Sequence, residues 1–220
     1  HIEQTASDRP SARQTTGPMG TTTQVDGLLA SSEPSIRYKV RVGVLGGSES
    51  ARSIRALRRE IRASPRATTL PGGRAPDGRL LRGRHDYEKW QGAHWVMAAL
   101  ADLGYPPGDR DLVPMRDQLL DAWLAPEWYD EFECPSKAKA YSRRGVPVMH
   151  GRYRRCASQQ GNALYAIVTL GLADKRTEAL VERLLHWQWP DGGWNCDKDP
   201  SADSSSFMET LTPLRGLAAF

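Results

Sequence analysis

At 220 residues and 39% hydrophobic side chains, the chain is long enough to bury one sizeable core. Its formal charge is +4, no apolar run approaches the roughly 20 residues of a membrane helix, and no secretory leader is evident at its start. Three cysteines, an odd number, argue against a disulfide scaffold and for a reducing, cytoplasmic setting.

In chain order, residues 1–30 read as a disordered tail. Residues 9–18 hold almost no apolar side chain, and Met19 looks like a natural start. Residues 31–84 form an arginine-rich helical segment and linker. Tyr38 to Leu45 carries the one short alternation of period two. Ser50 to Arg62 has the apolar spacing Ile54, Leu57, Ile61 of an amphipathic helix. Arg37 to Arg84 holds 13 basic and 3 acidic residues, whereas residues 85–220 hold 15 basic and 19 acidic. Such a basic helix invites a nucleic-acid or anionic-surface reading, but a solvated arginine face on an ordinary helix explains it better, so nucleic acid is not the expected partner. Pro65, Pro71-Gly72-Gly73 and Pro76-Asp77-Gly78 predict a flexible connector.

From residue 85 onward a repeat emerges. Segments around residues 89–103, 160–171 and 206–219 align so that Met97, Leu164 and Leu211 fall in register. Leu100, Ile167 and Leu214 form the next set, and Leu103, Leu170 and Leu217 the last. The spacing of three predicts helices, and Gly104 and Gly171 sit where helix C-terminal glycines belong. A second helix follows the first two copies. One runs over 111–124 with Leu112, Met115, Leu119 and Trp123 on one face, the other over 176–188 with Leu180, Leu184, Leu185 and Trp187. The copies are offset by 67 and then 47 residues, and the excess falls in a polar insertion, Trp128 to Arg155, read as a long loop. Helical hairpins that bury one face within the pair and one against neighbours stack into arrays, so the fold class is all-α.

The second hairpin ends Leu184-Leu185-His186-Trp187-Gln188-Trp189-Pro190-Asp191-Gly192-Gly193-Trp194-Asn195-Cys196. Pro190 stops the helix, Gly192 and Gly193 suit a tight reversal with positive φ, and Gln188 and Trp194 are placed to cover the helix end. Gln188, Gly192 and Trp194 in this spacing resemble the QW repeat of the terpenoid cyclase and protein prenyltransferase superfamily. The run from Cys156 through Gly161-Asn162, Leu170-Gly171 and Gln188 to Trp194-Asn195-Cys196 resembles a pattern of bacterial squalene cyclase-like, prenyltransferase-repeat proteins. The resemblance covers roughly residues 85–220. It implies an α/α toroid, here a partial ring completed by more chain or another subunit. It also implies an isoprenoid or other apolar substrate, with a non-catalytic scaffold for a peptide, lipid or protein partner as the alternative.

The chemistry implied by the resemblance is only partly present. Neither the Asp-x-Asp-Asp acid of squalene cyclases nor the Asp-Cys-Thr-Ala-Glu of their oxidosqualene relatives occurs, and Asp197 to Asp203 reads as a solvated loop. Protein prenyltransferases bind zinc through Asp, Cys and His. Here Cys156 and Cys196 fall at one end of a hairpin, with His150 and Asp197 as further ligands of a tetrahedral zinc site, although buried cysteines also serve as plain packing. Trp90, His94 and Trp95, at the start of a helix, are candidates to line the cavity, with a hydrogen-bonded structural role the ordinary one for His94.

Overall fold

The computed structural model describes residues 19–81 and 85–220; the tail expected before residue 19 lies outside them. Residues 19–30 were expected in that tail, yet Met19–Leu29 is helical (α1). After it come α2 (Pro34–Lys39), which continues as a wide π turn over Val40–Val44, and α3 (Arg52–Ala63). The alternation at Tyr38 to Leu45 is therefore helical: Tyr38 and Val42 pack onto α3 and Val40 is buried, while Val44 and Leu45 remain exposed. α3 buries Ile54, Leu57 and Ile61. Its Arg58 is also turned inward, donating to the Tyr38 hydroxyl at 2.7 Å and to the Tyr105 carbonyl at 2.8 Å. Other arginines of the basic segment meet carboxylates, among them Arg37 with Glu60, Arg62 with Asp109 and Arg66 with Glu33.

The stretch expected as a connector is tethered. α4 (Pro65–Thr69) is capped by Ser64, and Ala67 and Leu80 enter the main core. The amide of Gln118 clamps both backbone groups of Leu80, at 3.0 and 3.1 Å. Two groups satisfied by one side chain fix this loop where periodicity gives no signal.

The hairpins follow. α5 (Ala93–Leu103) pairs with α6 (Val113–Trp123), and α8 (Ala157–Thr169) with α9 (Lys175–His186); α10 (Phe207–Ala219) begins the third copy. α8 packs on α5 at one side and α10 at the other, while α6 and α9 touch each other behind them. Two rows of helices result, with Met97, Leu100, Met115, Leu119, Leu164, Ile167 and Leu180 in the core between them. Gly104 (φ 81°) and Gly171 (φ 64°) end α5 and the α8 turn as expected.

Three expectations fail here. The chain is mostly helical but not all-α. The insertion carries a three-stranded sheet, β1 (Glu131–Glu133), β2 (Val146–Met149) and β3 (Arg152–Tyr153), with a short helix α7 (Lys137–Ala140) between the first two. β1 and β2 run parallel and β2 and β3 antiparallel. Val146-Pro147-Val148-Met149 is buried throughout, too short an apolar run to be separated by periodicity from loop or helix. Leu185, placed on the inner face of α9, is exposed. So are Leu211 and Leu214, although their register partners are buried. α10 presents its small residues to α8 instead: a Cβ on Gly161 would fall 2.5 Å from the Pro213 Cα, and one on Gly216 would fall 2.4 Å from the Gly161 carbonyl oxygen. Close backbone approach has rotated the leucine stripe outward.

Candidate functional site

Two pockets flank the α5–α8 region. The first is an apolar cleft of about 600 Å³ lined by Leu70, Trp90, Trp95, Ala98, Ala99 and Leu103, with Asn162, Lys39 and Asp102 at its polar margin. α5 forms one wall of it, because the adjacent Ala98 and Ala99 leave a groove beside the aromatics. Trp90 and Trp95 meet in a tilted contact, centroids 4.8 Å apart and planes at 47°. Trp90 is 75% exposed and sits at φ 66°, a left-handed conformation that bulky side chains seldom adopt. Trp95 is anchored by its indole N–H to the Tyr87 carbonyl at 3.1 Å. Both tryptophans thus line this cleft.

His94 does not. It is buried, and the Trp123 indole N–H donates to its Nδ1 at 3.1 Å. An indole nitrogen only donates, so Nδ1 is the acceptor and Nε2 carries the proton. The Asn162 side-chain amide lies 3.1 Å from Nε2 and must meet it with its oxygen, leaving the NH₂ for the cleft. Burial holds His94 down at about pH 4, so it is neutral at physiological pH.

The second pocket, about 570 Å³, opens beside the inserted sheet and is lined by Trp128, Tyr141, Arg144, Arg154, Arg155, Lys198 and both cysteines, Cys156 and Cys196. Cys156 caps α8 and Cys196 follows the turn after α9. The third member of the cluster is Glu209, in the first turn of α10. One ligand atom from each lies within 4.8 Å of the others, and Cys196 Sγ donates to Glu209 Oε1 at 2.7 Å. The neighbouring Cys196 makes the Cys156 proton easier to lose, whereas Cys156, burial and Glu209 together hold the Cys196 proton strongly.

His150 and Asp197 are not part of this cluster. His150 (φ 51°) and Gly151 (φ 69°) form the two-residue turn between β2 and β3, where two consecutive positive φ values are needed. It is exposed there. Asp197 is exposed too and accepts from the Asp199 backbone at 2.9 Å, ordering its own loop. Glu209 went unseen because the surrounding Phe-Met-Glu-Thr-Leu reads as an apolar helix, and only the fold of α10 onto α8 brings it to the cysteines.

The donor set fits a thiophilic divalent ion. Two sulfurs and one carboxylate oxygen from three separate segments, both cysteines lining the pocket, are a donor set that could hold zinc. Two buried polar groups point to an incompletely satisfied site. Glu209 Oε2 and both amide atoms of Gln160 have no partner among the described residues, and Gln160 stands one helical turn beyond Cys156 on the same face.

A chain of rings joins the two pockets. From Trp90 it runs through Trp95, His94 (5.4 Å from Trp95), Trp123 (5.5 Å from His94) and Trp128 (6.1 Å from Trp123). On Trp128 lies the Arg155 guanidinium, 3.8 Å from the ring centroid. Burial lowers Arg155 to about 10, leaving it a cation at neutral pH.

The repeat signature closes a turn, with two changes of role. Gln188 donates to the Gly192 carbonyl at 2.7 Å, within its own turn and not to the neighbouring hairpin. Gly192 has positive φ (90°), but Gly193 does not; it is needed because a Cβ there would lie 2.4 Å from Ser205 Oγ and 2.5 Å from Thr210 Oγ1. Gly193 and Trp194 are what join this turn to α10, the Trp194 carbonyl accepting from Ser206 N at 2.8 Å. No family model, curated protein or solved structure matches this chain. Among the described residues no helix is long and apolar enough to cross a membrane.

Proposed function

We propose that this chain is a squalene cyclase/prenyltransferase-like helical-repeat protein, part of an α/α toroid, that takes an isoprenoid or other apolar chain into the cleft beside α5. The order α5, α8, α10 in one row with α6 and α9 behind supports the toroid reading. The observation that carries the ligand is the Trp90–Trp95 pair. A large aromatic held exposed and at positive φ costs conformational energy, and such strain persists where a surface has a use for it. A 600 Å³ groove with a few polar groups at its edge has the size and character of a small-molecule site.

Zinc fits Cys156, Cys196 and Glu209, where, bound, it would act as a Lewis acid or hold a thiolate in the pocket. The chain's own residues do the positioning. Arg155 supplies a countercharge to the thiolates and Glu209, and the Trp123–Trp128 stack fixes the plane of Arg155.

The test is a titration of tryptophan emission with farnesol, run on the wild type and on Trp90→Gly. Saturable quenching is expected in the wild type. The glycine variant relieves the left-handed strain, so it should fold at least as stably yet bind about tenfold more weakly or worse. Equal binding in both would overturn the assignment of the cleft.

A second reading, a non-catalytic scaffold, is favoured by α10, whose Phe207, Met208, Leu211 and Leu214 stand exposed, as does Phe220 just beyond its end. A further hairpin or another subunit laid on this face would extend the array, and Leu211→Glu should then abolish any self-association seen by sedimentation.

A further inference from the structure

The cleft beside α5 holds one polar side chain whose orientation is dictated from the core beneath it. Asn162 lines the cleft from α8, and its amide meets His94 Nε2 at 3.1 Å. His94 is 1% exposed, and the Trp123 indole N–H occupies its other ring nitrogen at 3.1 Å. A proton on Nδ1 would face that N–H, so geometry restricts the ring to the neutral tautomer protonated at Nε2. Nε2–H can only donate, and of the two amide atoms of Asn162 only Oδ1 accepts. One buried indole proton therefore settles which end of Asn162 faces the cleft. It is Nδ2, and no second hydrogen bond of Asn162 forms among the described residues.

The other polar groups around the cleft are committed or wet. Arg66 meets Glu33, Asp102 meets Arg215, and the Thr69 hydroxyl gives its proton to the Pro65 carbonyl at 2.8 Å. Lys39 is exposed, with its ammonium open to water. Asn162 is thus a neutral, oriented donor set in an aromatic and aliphatic wall. A donor so placed discriminates sharply. A hydrocarbon laid over it strips its water and returns no hydrogen bond, whereas an acceptor oxygen at that point restores the bond.

We infer that the cleft selects apolar ligands that carry a neutral acceptor oxygen, with Asn162 Nδ2 as the donor to that oxygen. His94 and Trp123 are positioning residues, which keep the amide from turning over. The inference rests on the assignment of this cleft to an apolar ligand, and adds the atom that fixes which way the ligand lies.

Two ligands of like carbon chain test it by quenching of tryptophan emission in the full chain: myrcene, a hydrocarbon, and geranyl methyl ether, whose oxygen only accepts. The wild type should bind the ether about fivefold more tightly than the hydrocarbon, or better. Asn162→Leu should erase that preference, and Lys39→Met should keep it. Trp123→Phe separates positioning from packing. Without an N–H against Nδ1, the His94 proton can move there and the amide can turn, so the preference should shift from the ether towards geraniol, whose hydroxyl can donate. Far-UV circular dichroism checks that each variant is folded. An ether bound no more tightly than myrcene by the wild type, or a preference surviving in folded Asn162→Leu, would overturn the inference and leave the apolar cleft standing. Equal weakening of all three ligands in folded Trp123→Phe would overturn the positioning role. Failure of every ligand to quench the wild type would remove the assignment of the cleft and the inference with it.

Discussion

The indole N–H of Trp194 donates to the Leu184 carbonyl at 2.9 Å, ten residues back along the chain. That carbonyl belongs to the last turn of α9, which lacks helical partners, so the side chain caps the helix from which its own turn departs. Trp194 is 1% exposed and packs with Leu164, Leu184 and Trp187. Trp194→Ala should therefore cost about 3–5 kcal/mol, as for a large buried aromatic. Trp194→Phe, which keeps most of the packing and leaves the carbonyl unpaired, should cost less, about 1–3 kcal/mol. Urea denaturation of the two variants measures both, and an unchanged midpoint for the alanine would refute the capping role.

The metal cluster makes a spectroscopic prediction. Cobalt(II) added to the reduced protein should give a near-ultraviolet thiolate charge-transfer band and visible bands of tetrahedral intensity at one equivalent, and zinc should displace them. Cys196→Ser and Glu209→Gln should weaken binding, whereas substitution of His150 or Asp197 should leave it unchanged. Full retention of the cobalt spectrum in Cys156→Ser, Cys196→Ser would show the two cysteines to be ordinary packing.

His94 links the core to pH. Its folded pKa of about 4 lies below the ordinary 6.5, so the neutral form is the one the fold favours. The stability it contributes is complete above pH 6.5 and is lost as pH falls from there towards 4. At 1.36 kcal/mol per unit the loss is about 3 kcal/mol. His94→Gln, with an amide able to accept from Trp123 and donate to Asn162, should flatten that part of the stability–pH curve. The same slope in the variant would assign the effect to other groups.

Gly161 separates α8 from α10 by so little that a methyl group would meet the Pro213 backbone at 2.5 Å. Gly161→Ala improves helix propensity in α8 and yet should destabilise by about 1–3 kcal/mol, because backbone, not a pliable side chain, stands in the way. A thermal midpoint raised by the substitution would mean that α10 does not pack there.

Two neighbouring letters of the sequence, Gly161 and Asn162, thus have unrelated causes. One admits a helix, the other orients a buried histidine through a contact 68 residues distant. The pattern around them was legible as a repeat; neither cause was. Likewise the fold brings Cys156 and Cys196 together at one end of a hairpin, but the third donor atom beside them belongs to Glu209 and not to the nearer His150 or Asp197. Chain proximity favoured those two, while a β-turn and an exposed loop had already committed their backbones.

What the sequence determined by itself is the part governed by local period: helices over α5, α6, α8, α9 and α10, their glycine stops, and the turn through Gly192. Apolar spacing of three and four residues has one geometric solution, and it needs no distant partner. Tertiary structure decided which faces meet. It turned the α10 leucines outward, set His94 in the core beside two tryptophans that line a cleft, made a sheet of the insertion, and gathered Arg154 and Arg155 around one pocket. Each of these depends on contacts between segments far apart in the chain, where closeness of approach, burial and hydrogen-bond satisfaction outweigh the local pattern.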